Sequence, residues 1–239
     1  MPNMADAVPE NRSDSLNVPW IDTVRFVQQL SHDLRNHLNA IELQSAYISE
    51  LDANPELKAE IKRLREMISR LTAVLQNLSR GVAEVKPDLM SYRASNLVED
   101  LRKKVAREFP NESAEITWDI ETGDAMLQVD PQLLEQAFSE VFANAFQHDR
   151  GKGAIVAAAR IDGKRFVFTL REPKTRFESS TENWGREPLR KITRGHYGLG
   201  LNRLRVIMEA HGGEMHAKYD PKDSTLLTTL SLPLGRGGN

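Results

Sequence analysis

Two histidines, His32 and His37, lie five residues apart in a segment that begins Ser-His-Asp. Five residues turn a helix by roughly 140°, so these two imidazoles cannot bind one metal ion from the same helix. His32 is followed by Asp33, and Asn36 lies one turn further on. A neutral imidazole is nucleophilic, and an adjacent carboxylate can hold the proton of one ring nitrogen so that the other presents its lone pair. The segment indicates a nucleophilic histidine, and the alternative is an ordinary solvated one.

The apolar residues around His32 recur at three- and four-residue steps, which predicts an amphipathic helix. They are Val27, Leu30, Leu34, Leu38 and Ile41. His32 lies roughly 160° from the centre of this stripe and should face solvent. His37 lies near the edge of the stripe, and we expect it to pack in a helical bundle.

Residues 19–84 are predicted to form an antiparallel helical hairpin, preceded by a flexible tail at residues 1–18. The first helix runs from about Ile21 to Leu51, and the second from Leu57 to Val82 carries a near-heptad apolar stripe. A hairpin cannot bury two such stripes by itself, so a second copy would complete a four-helix bundle in a homodimer. The alternative is a hairpin docked on its own C-terminal domain.

Pro87 breaks the helical period, and residues 85–237 have the mixed pattern of an α+β sandwich, a sheet with helices on one face. Asp162-Gly163 between two apolar runs is a hairpin signal. Helices are expected near 96–108, 131–147 and 201–210, and strands near 115–120, 125–130, 154–161, 164–170, 214–219 and 225–232.

The composition excludes several classes of protein. The 239 residues include 40% hydrophobic and 28% charged side chains, which fits a globular protein of one to two domains. A net charge of -2 argues against nucleic acid as a partner, and the absence of cysteine removes disulfides and thiolate chemistry. No segment suits a membrane span or a signal peptide, so we expect a cytoplasmic protein.

Two further patterns could bind a nucleotide. Glu140, Asn144 and His148 recur four residues apart on one helix, and the Asn144 amide oxygen is a suitable Mg²⁺ ligand, although a plain surface asparagine is the alternative. Glycines immediately before a helix let the backbone approach phosphate oxygens, although turns also use glycine. These glycines are Gly195, Gly198 and Gly200.

The segment Ser-His-Asp-Leu-Arg-Asn at residues 31–36 resembles the H box of sensor histidine kinases. The resemblance implies that His32 accepts a phosphoryl group, that Asp33 assists, and that Asn36 helps to dephosphorylate a response regulator. His37 stands where the family commonly has proline, so a kink common there is missing.

The helix with Glu140 and Asn144 resembles the N box of the GHKL ATPases, the superfamily that includes the histidine kinases. The segment Gly-Leu-Gly-Leu and the helix after it resemble the end of a histidine kinase catalytic domain, with His211-Gly212-Gly213 as a helix stop. The resemblance implies ATP and Mg²⁺, with Asn144 as the metal ligand. The implied nucleotide-binding residues are Glu140, Asn144, Gln147, His148, Glu172, Lys191, Gly195, Gly198, Leu199 and Gly200.

Three departures from the family concern this site. Glu140 replaces an asparagine, as in the ATP-hydrolysing branch, and Gln147 replaces a lysine. The adenine-binding Asp-x-Gly-x-Gly motif is missing, and Glu172 stands in for its aspartate. Pro173 would stiffen the turn, while Lys174 and Arg176 would crowd the pocket or bring charge to the phosphates. A long polar segment follows, suited to a mobile lid, in which Lys191 and Arg194 are candidate phosphate contacts, with ordinary solvated residues as the alternative.

The leading prediction is a two-component histidine kinase that phosphorylates His32 from Mg-ATP and transfers the phosphoryl group to an aspartate of a response regulator receiver domain. The alternative is a degenerate relative with weak or no ATP binding, acting as a histidine phosphotransferase, a response-regulator phosphatase or a scaffold. A third hypothesis, an ATP-hydrolysing GHKL protein, rests on Glu140. A separate sensory or upstream protein would supply the input.

Overall fold

The structure, a computed structural model, describes residues 19–51, 54–147, 149–175, 177, 181–182, 184–186 and 199–235. The chain divides into two compact units, Met1–Ile68 and Ser69–Asn239. None of the described helices combines the length and the hydrophobicity needed to cross a membrane.

The first unit contains two long helices, α1 (Trp20–Leu51) and the first part of α2 (Pro55–Val82). Pro55 occupies the first position of α2, where its missing N–H leaves no helical hydrogen bond unmade. Arg65 of α2 lies 3.7 Å from Glu42 of α1. Glu42 and Arg65 lie about equally far along the sequence from the turn that joins the two helices. The helices therefore run antiparallel, as the sequence predicts.

Within the described residues, the second unit is an α+β domain that contains the end of α2, three further α-helices, a short 3-10 helix (Ser113–Glu115) and seven strands. Its elements are β1 (Met90–Arg93), α3 (Ala94–Glu108), β2 (Ile116–Glu121), β3 (Met126–Val129), α4 (Pro131–Gln147), β4 (Ile155–Asp162), β5 (Arg165–Pro173), α5 (Leu199–Ala210), β6 (Glu214–Asp220) and β7 (Thr225–Pro233). The main sheet has the order β2-β4-β5-β7-β6, in which only β2 and β4 pair in parallel. The predicted α+β class is confirmed.

Alternation along β5 directs large apolar side chains into the core. Phe166, Phe168 and Leu170 are fully buried on one face, and Phe138 of α4 stacks on Phe168 with ring centroids 5.1 Å apart. Residues i and i+2 of a strand share a face, so Glu172 is the next residue on this face of β5. Lys174, the first residue after the strand, continues the alternation as a β-bridge residue. The buried apolar row of β5 therefore continues into the charged residues Glu172 and Lys174.

Two glycines adopt the backbone conformations that the predicted turns require. Gly163 has a φ of +58° in the β4–β5 hairpin, a conformation that glycine adopts without steric cost. Gly212 has a φ of +67° after α5. Gly213 N–H donates to the Met208 carbonyl and Gly212 N–H to the Glu209 carbonyl, which is the Schellman pattern. The predicted helix stop after α5 is therefore present.

Several elements differ from the sequence-based expectation; α2 and α3, for example, each begin two residues before their expected starts. The four-residue strand β1 was missed, and it pairs with β3 to form a separate two-stranded sheet. Helix α5 begins at Leu199, two residues before the expected start. Strand β5 runs through Glu172 to Pro173, where a turn was expected. Proline is tolerated at position 173 because it is the last residue of the strand. The sheet therefore lacks only one backbone N–H donor.

Candidate functional site

His32 lies on the solvent-exposed face of α1, as predicted. Its side chain is 65% exposed, and its Nδ1 lies 3.2 Å from a carboxylate oxygen of Asp33. The amide nitrogen of Asn36 lies 3.4 Å from the same Nδ1. A proton held on Nδ1 by Asp33 leaves Nε2 as the nitrogen that presents a lone pair. The Asn36 NH₂ group is itself a donor, so it makes no hydrogen bond to Nδ1 in that tautomer.

Asp33 is held by a second neighbour on the same helix. The Gln29 amide nitrogen donates to the Asp33 carboxylate at 2.9 Å. This hydrogen bond and the one with His32 hold the pKa of the Asp33 carboxyl below its usual value. Asp33 therefore stays ionised at physiological pH, as an acceptor for the imidazole N–H must. Gln29 was not predicted, although it precedes Asp33 by four residues, a spacing that places both on one helix face.

His37 does not join His32. It is exposed in the single chain, so its expected packing in a bundle stays a prediction. Among the residues that the structure describes, no group of three or more histidine, aspartate or glutamate side chains could hold a metal ion. The two histidines therefore have separate environments.

Helix α4 carries the candidate metal ligand Asn144. Its amide nitrogen donates to the Glu140 backbone carbonyl at 2.9 Å, which turns the amide oxygen away from that carbonyl. A single amide oxygen fits Mg²⁺, which is commonly held by one or two protein ligands together with substrate phosphates. Gln147, the last residue of α4, is exposed.

Glu140 meets Gly200 at the beginning of α5. A Cβ atom at residue 200 would overlap the Glu140 carboxylate, so the glycine allows this close approach, and any other residue would make the flexible Glu140 side chain move. Gly200 is the second residue of α5, after the buried Leu199. The first turn of a helix has free N–H groups and a partial positive charge, which favour a carboxylate. The structure thus brings together two predicted site residues, Glu140 and Gly200.

Glu172 and Lys174 form a buried ion pair at the end of β5. They are 3% and 5% exposed, and Lys174 Nζ lies 2.8 Å from Glu172 Oε2. Burial raises the pKa of the Glu172 carboxyl, and the hydrogen bond and charge of Lys174 act in the opposite direction. Lys174 thus pairs with Glu172, and its two predicted roles, crowding the pocket and binding phosphates, stay predictions.

The glycine-rich turn expected from the family is replaced by extended chain. Lys174 forms a β-bridge with Arg150, and Gly151 N–H donates to the Pro173 carbonyl at 2.9 Å. A side chain at Gly151 would press on the backbone of Pro173 and Lys174, with contacts of 3.0 Å. The chain after α4 therefore packs closely against the chain after β5.

Four predicted nucleotide contacts lie outside the described residues. They are His148, Lys191, Gly195 and Gly198. Arg176, Arg194 and most of the expected lid segment also lie outside them.

No protein-family model matches this chain. Curated relatives do match, among them the alginate biosynthesis sensor protein KinB of Pseudomonas aeruginosa, which is 26% identical over 207 residues, 82% of this chain and 34% of that protein. The sensor histidine kinase MtrB of Mycobacterium leprae is 24% identical over 227 residues, 89% of this chain and 40% of that protein. The chain thus spans well under half the length of these relatives.

Solved structures agree on the fold. Full-length ShkA in complex with AMPPNP matches with a TM-score of 0.69 at 18% identity, over 90% of this chain and 47% of that one. The Acinetobacter baumannii histidine kinase AdeS matches with a TM-score of 0.50 at 16% identity, over 86% of this chain and 98% of that one. The chain therefore has the fold of these histidine kinases, a helical hairpin followed by an α+β domain, and its resemblance to sensor histidine kinases is confirmed.

Proposed function

We propose that this chain is a two-component histidine kinase in which His32 accepts a phosphoryl group from Mg-ATP and passes it to an aspartate of a receiver domain. The observation that carries the proposal is the exposed His32 imidazole with Nδ1 against the ionised Asp33. Sequence similarity to sensor histidine kinases over most of the chain supports it.

The contacts of His32 suit nucleophilic attack on phosphorus. As the Nε2–P bond forms, the P–O bond to the leaving group breaks, and positive charge develops on the imidazole. Asp33 stabilises that charge through its contact with Nδ1, and it keeps the ring in the tautomer that reacts. Asn36, one turn away, is placed to hydrogen-bond the transferred group or a water molecule near it.

Magnesium would be held through Asn144 together with the nucleotide phosphates, whose negative charge it would neutralise. The Asn144 amide oxygen fits this role. The base end of the site does not fit adenine in the way that the resemblance implies, because Glu172 is already paired with Lys174.

That buried pair favours a second candidate function. A chain with weak or no ATP binding would receive the phosphoryl group at His32 from the aspartyl phosphate of one receiver domain and pass it to another. The same His32, Asp33 and Asn36 would serve, since only the leaving group differs. A phosphatase acting on the receiver through Asn36 would use the same surface.

We also propose that the chain forms a homodimer through its helical hairpin, and that a separate upstream protein supplies the signal. In the single chain, α1 exposes a set of large apolar side chains. They include Phe26, Leu30, Leu34 and Ile41. A partner hairpin would cover this surface.

The function is tested by incubating the chain with γ-labelled Mg-ATP and, separately, with receiver domains charged by labelled acetyl phosphate. Acid-labile, alkali-stable label should appear in the wild type and in the matched His37→Gln control, and disappear in His32→Gln. Label from ATP supports the kinase, whereas label from the receivers alone supports the phosphotransferase. If neither donor labels His32, both functions are wrong.

A further inference from the structure

The Glu172–Lys174 pair lies on the inner face of β5. It continues the buried row of Phe166, Phe168 and Leu170, so both charged side chains enter the space between the sheet and the helices. Few charged side chains are buried to this extent unless they are paired. The two paired side chains are therefore part of the interior of the domain.

The backbone fixes Lys174 in this position. Its N–H donates to the Ser224 carbonyl at 2.8 Å, Thr175 N–H donates to the Asp149 carbonyl at 2.8 Å, and the Pro173 carbonyl accepts from Gly151. Because chain segments on both sides hold residues 173–175, Lys174 cannot leave Glu172 by a simple loop movement.

Glu172 is the carboxylate that the resemblance aligns with the adenine-binding aspartate. A base amino group would donate a hydrogen bond to this carboxylate, and the Lys174 ammonium donates there instead. A charged donor at 2.8 Å is the stronger partner. A nucleotide must therefore displace it or lose that hydrogen bond.

The resemblance places the phosphate end of the nucleotide site at the start of α5, where the structure also holds a side chain of this domain. The Glu140 carboxylate lies against the first turn of α5, at Gly200. Negative charge is favoured at that helix end, so the carboxylate and a phosphate group would compete for the same environment.

We infer that the domain carries internal ligands in its nucleotide site: Lys174 takes the place of the base amino group on Glu172, and Glu140 takes the place of phosphate charge at α5. Nucleotide enters only when these contacts open. The inference rests on the proposed function for the location of the site, and it adds a mechanism that limits nucleotide binding.

The test is the affinity of the full chain for Mg-ATP, measured by isothermal titration calorimetry. Lys174→Ala should bind about tenfold or more tightly than the wild type, because it frees the Glu172 carboxylate. Glu140→Gln should tighten binding about threefold, because it removes one negative charge while keeping the side-chain shape. Lys164→Ala and Glu121→Gln, which change exposed residues of the same types, should leave the affinity unchanged.

A second variant keeps the test decisive if Lys174→Ala does not fold. Glu172→Asp/Lys174→Gly restores the Asp-x-Gly spacing and should also bind more tightly. Glu172→Gln/Lys174→Met lacks both charges and should show no gain. Circular dichroism checks that each chain is folded.

The inference is wrong at the base end if folded Lys174→Ala and Glu172→Asp/Lys174→Gly bind Mg-ATP no more tightly than the wild type. It is wrong at the phosphate end if Glu140→Gln shows no gain. Nucleotide binding does not require His32. The same affinities are therefore also measured in a His32→Gln background, where binding is separated from phosphorylation of His32. Failure to label His32 would then overturn the proposed function alone.

Discussion

The charge of Glu172 depends on its neighbour Lys174. Its pKa is raised in the folded chain, first by burial. A carboxyl with a raised folded pKa contributes stability that is fully present below its unfolded pKa and is lost as the pH rises through its folded pKa. At neutral pH the ionised form therefore depends on the Lys174 ammonium 2.8 Å away.

Replacing Lys174 by methionine should cost about 3–5 kcal/mol of unfolding free energy at pH 8, because a buried carboxylate loses its partner. The cost should shrink at pH 5, where the unpaired Glu172 is protonated. Urea unfolding followed by circular dichroism measures both values. Equal costs at pH 5 and pH 8 would show that Glu172 does not titrate between them.

The matched control removes both charges. Glu172→Gln/Lys174→Met should be as stable as the wild type or more stable by about 1–4 kcal/mol, because neutral side chains of similar volume avoid the desolvation of two ions. A double variant as unstable as Lys174→Met would mean that packing, not charge, causes the loss.

At the residue scale, local contacts could be predicted and the ion pair could not. His32, Asp33 and Asn36 lie within one helical turn, so a 3.6-residue period is enough to place them. Glu172 and Lys174 are also close in sequence, and strand alternation puts them on one face. The proline between them indicated a turn, which hid that alternation.

At the element scale, Asp130 joins three parts of the second unit. Its carboxylate accepts hydrogen bonds from Leu133 N–H at 3.1 Å, which caps α4, and from Asp88 N–H at 3.2 Å. Its own N–H donates to His211 Nε2 at 3.0 Å, and His211 Nδ1 lies 2.7 Å from the Ile207 carbonyl in α5. A neutral His211 satisfies both contacts, since one nitrogen donates and the other accepts.

Asp130→Ala should lower the unfolding free energy by about 1–2 kcal/mol, because α4 loses its N-cap. Asp130→Asn is the matched control: its single amide oxygen can still cap α4 but it loses the contact with Asp88 N–H, so it should lose less stability than the alanine variant. Urea unfolding ranks the three chains. An alanine variant as stable as the asparagine variant would contradict the capping role.

The elements that escaped prediction depend on distant partners. Strand β1 has four residues, too few for a period to show, and it is defined by pairing with β3, more than thirty residues later. Long helices such as α1 and α4 were predicted closely because their apolar faces repeat over many turns. Pairing across long sequence separations leaves no comparable local pattern.

At the scale of the whole molecule, the first unit leaves a large apolar surface exposed in the single chain. Phe26 is 64% exposed, although it lies on a long helix. Further large apolar residues of α1 share this exposure, among them Leu30, Leu34, Ile41 and Ile48. Water contact with so much apolar surface is unfavourable at about 25 cal/mol per Å². A second copy of the hairpin is the partner that would cover it.

We expect light scattering after size exclusion to give twice the mass of one chain at micromolar concentration. Leu30→Glu/Leu34→Glu should shift the chain toward the monomer, because it places two charges in the surface to be buried. Asn39→Glu, on the exposed polar side of α1, is the matched control and should remain dimeric. A wild-type chain that elutes as a monomer, or a glutamate pair that leaves the mass unchanged, would contradict a bundle built on this face.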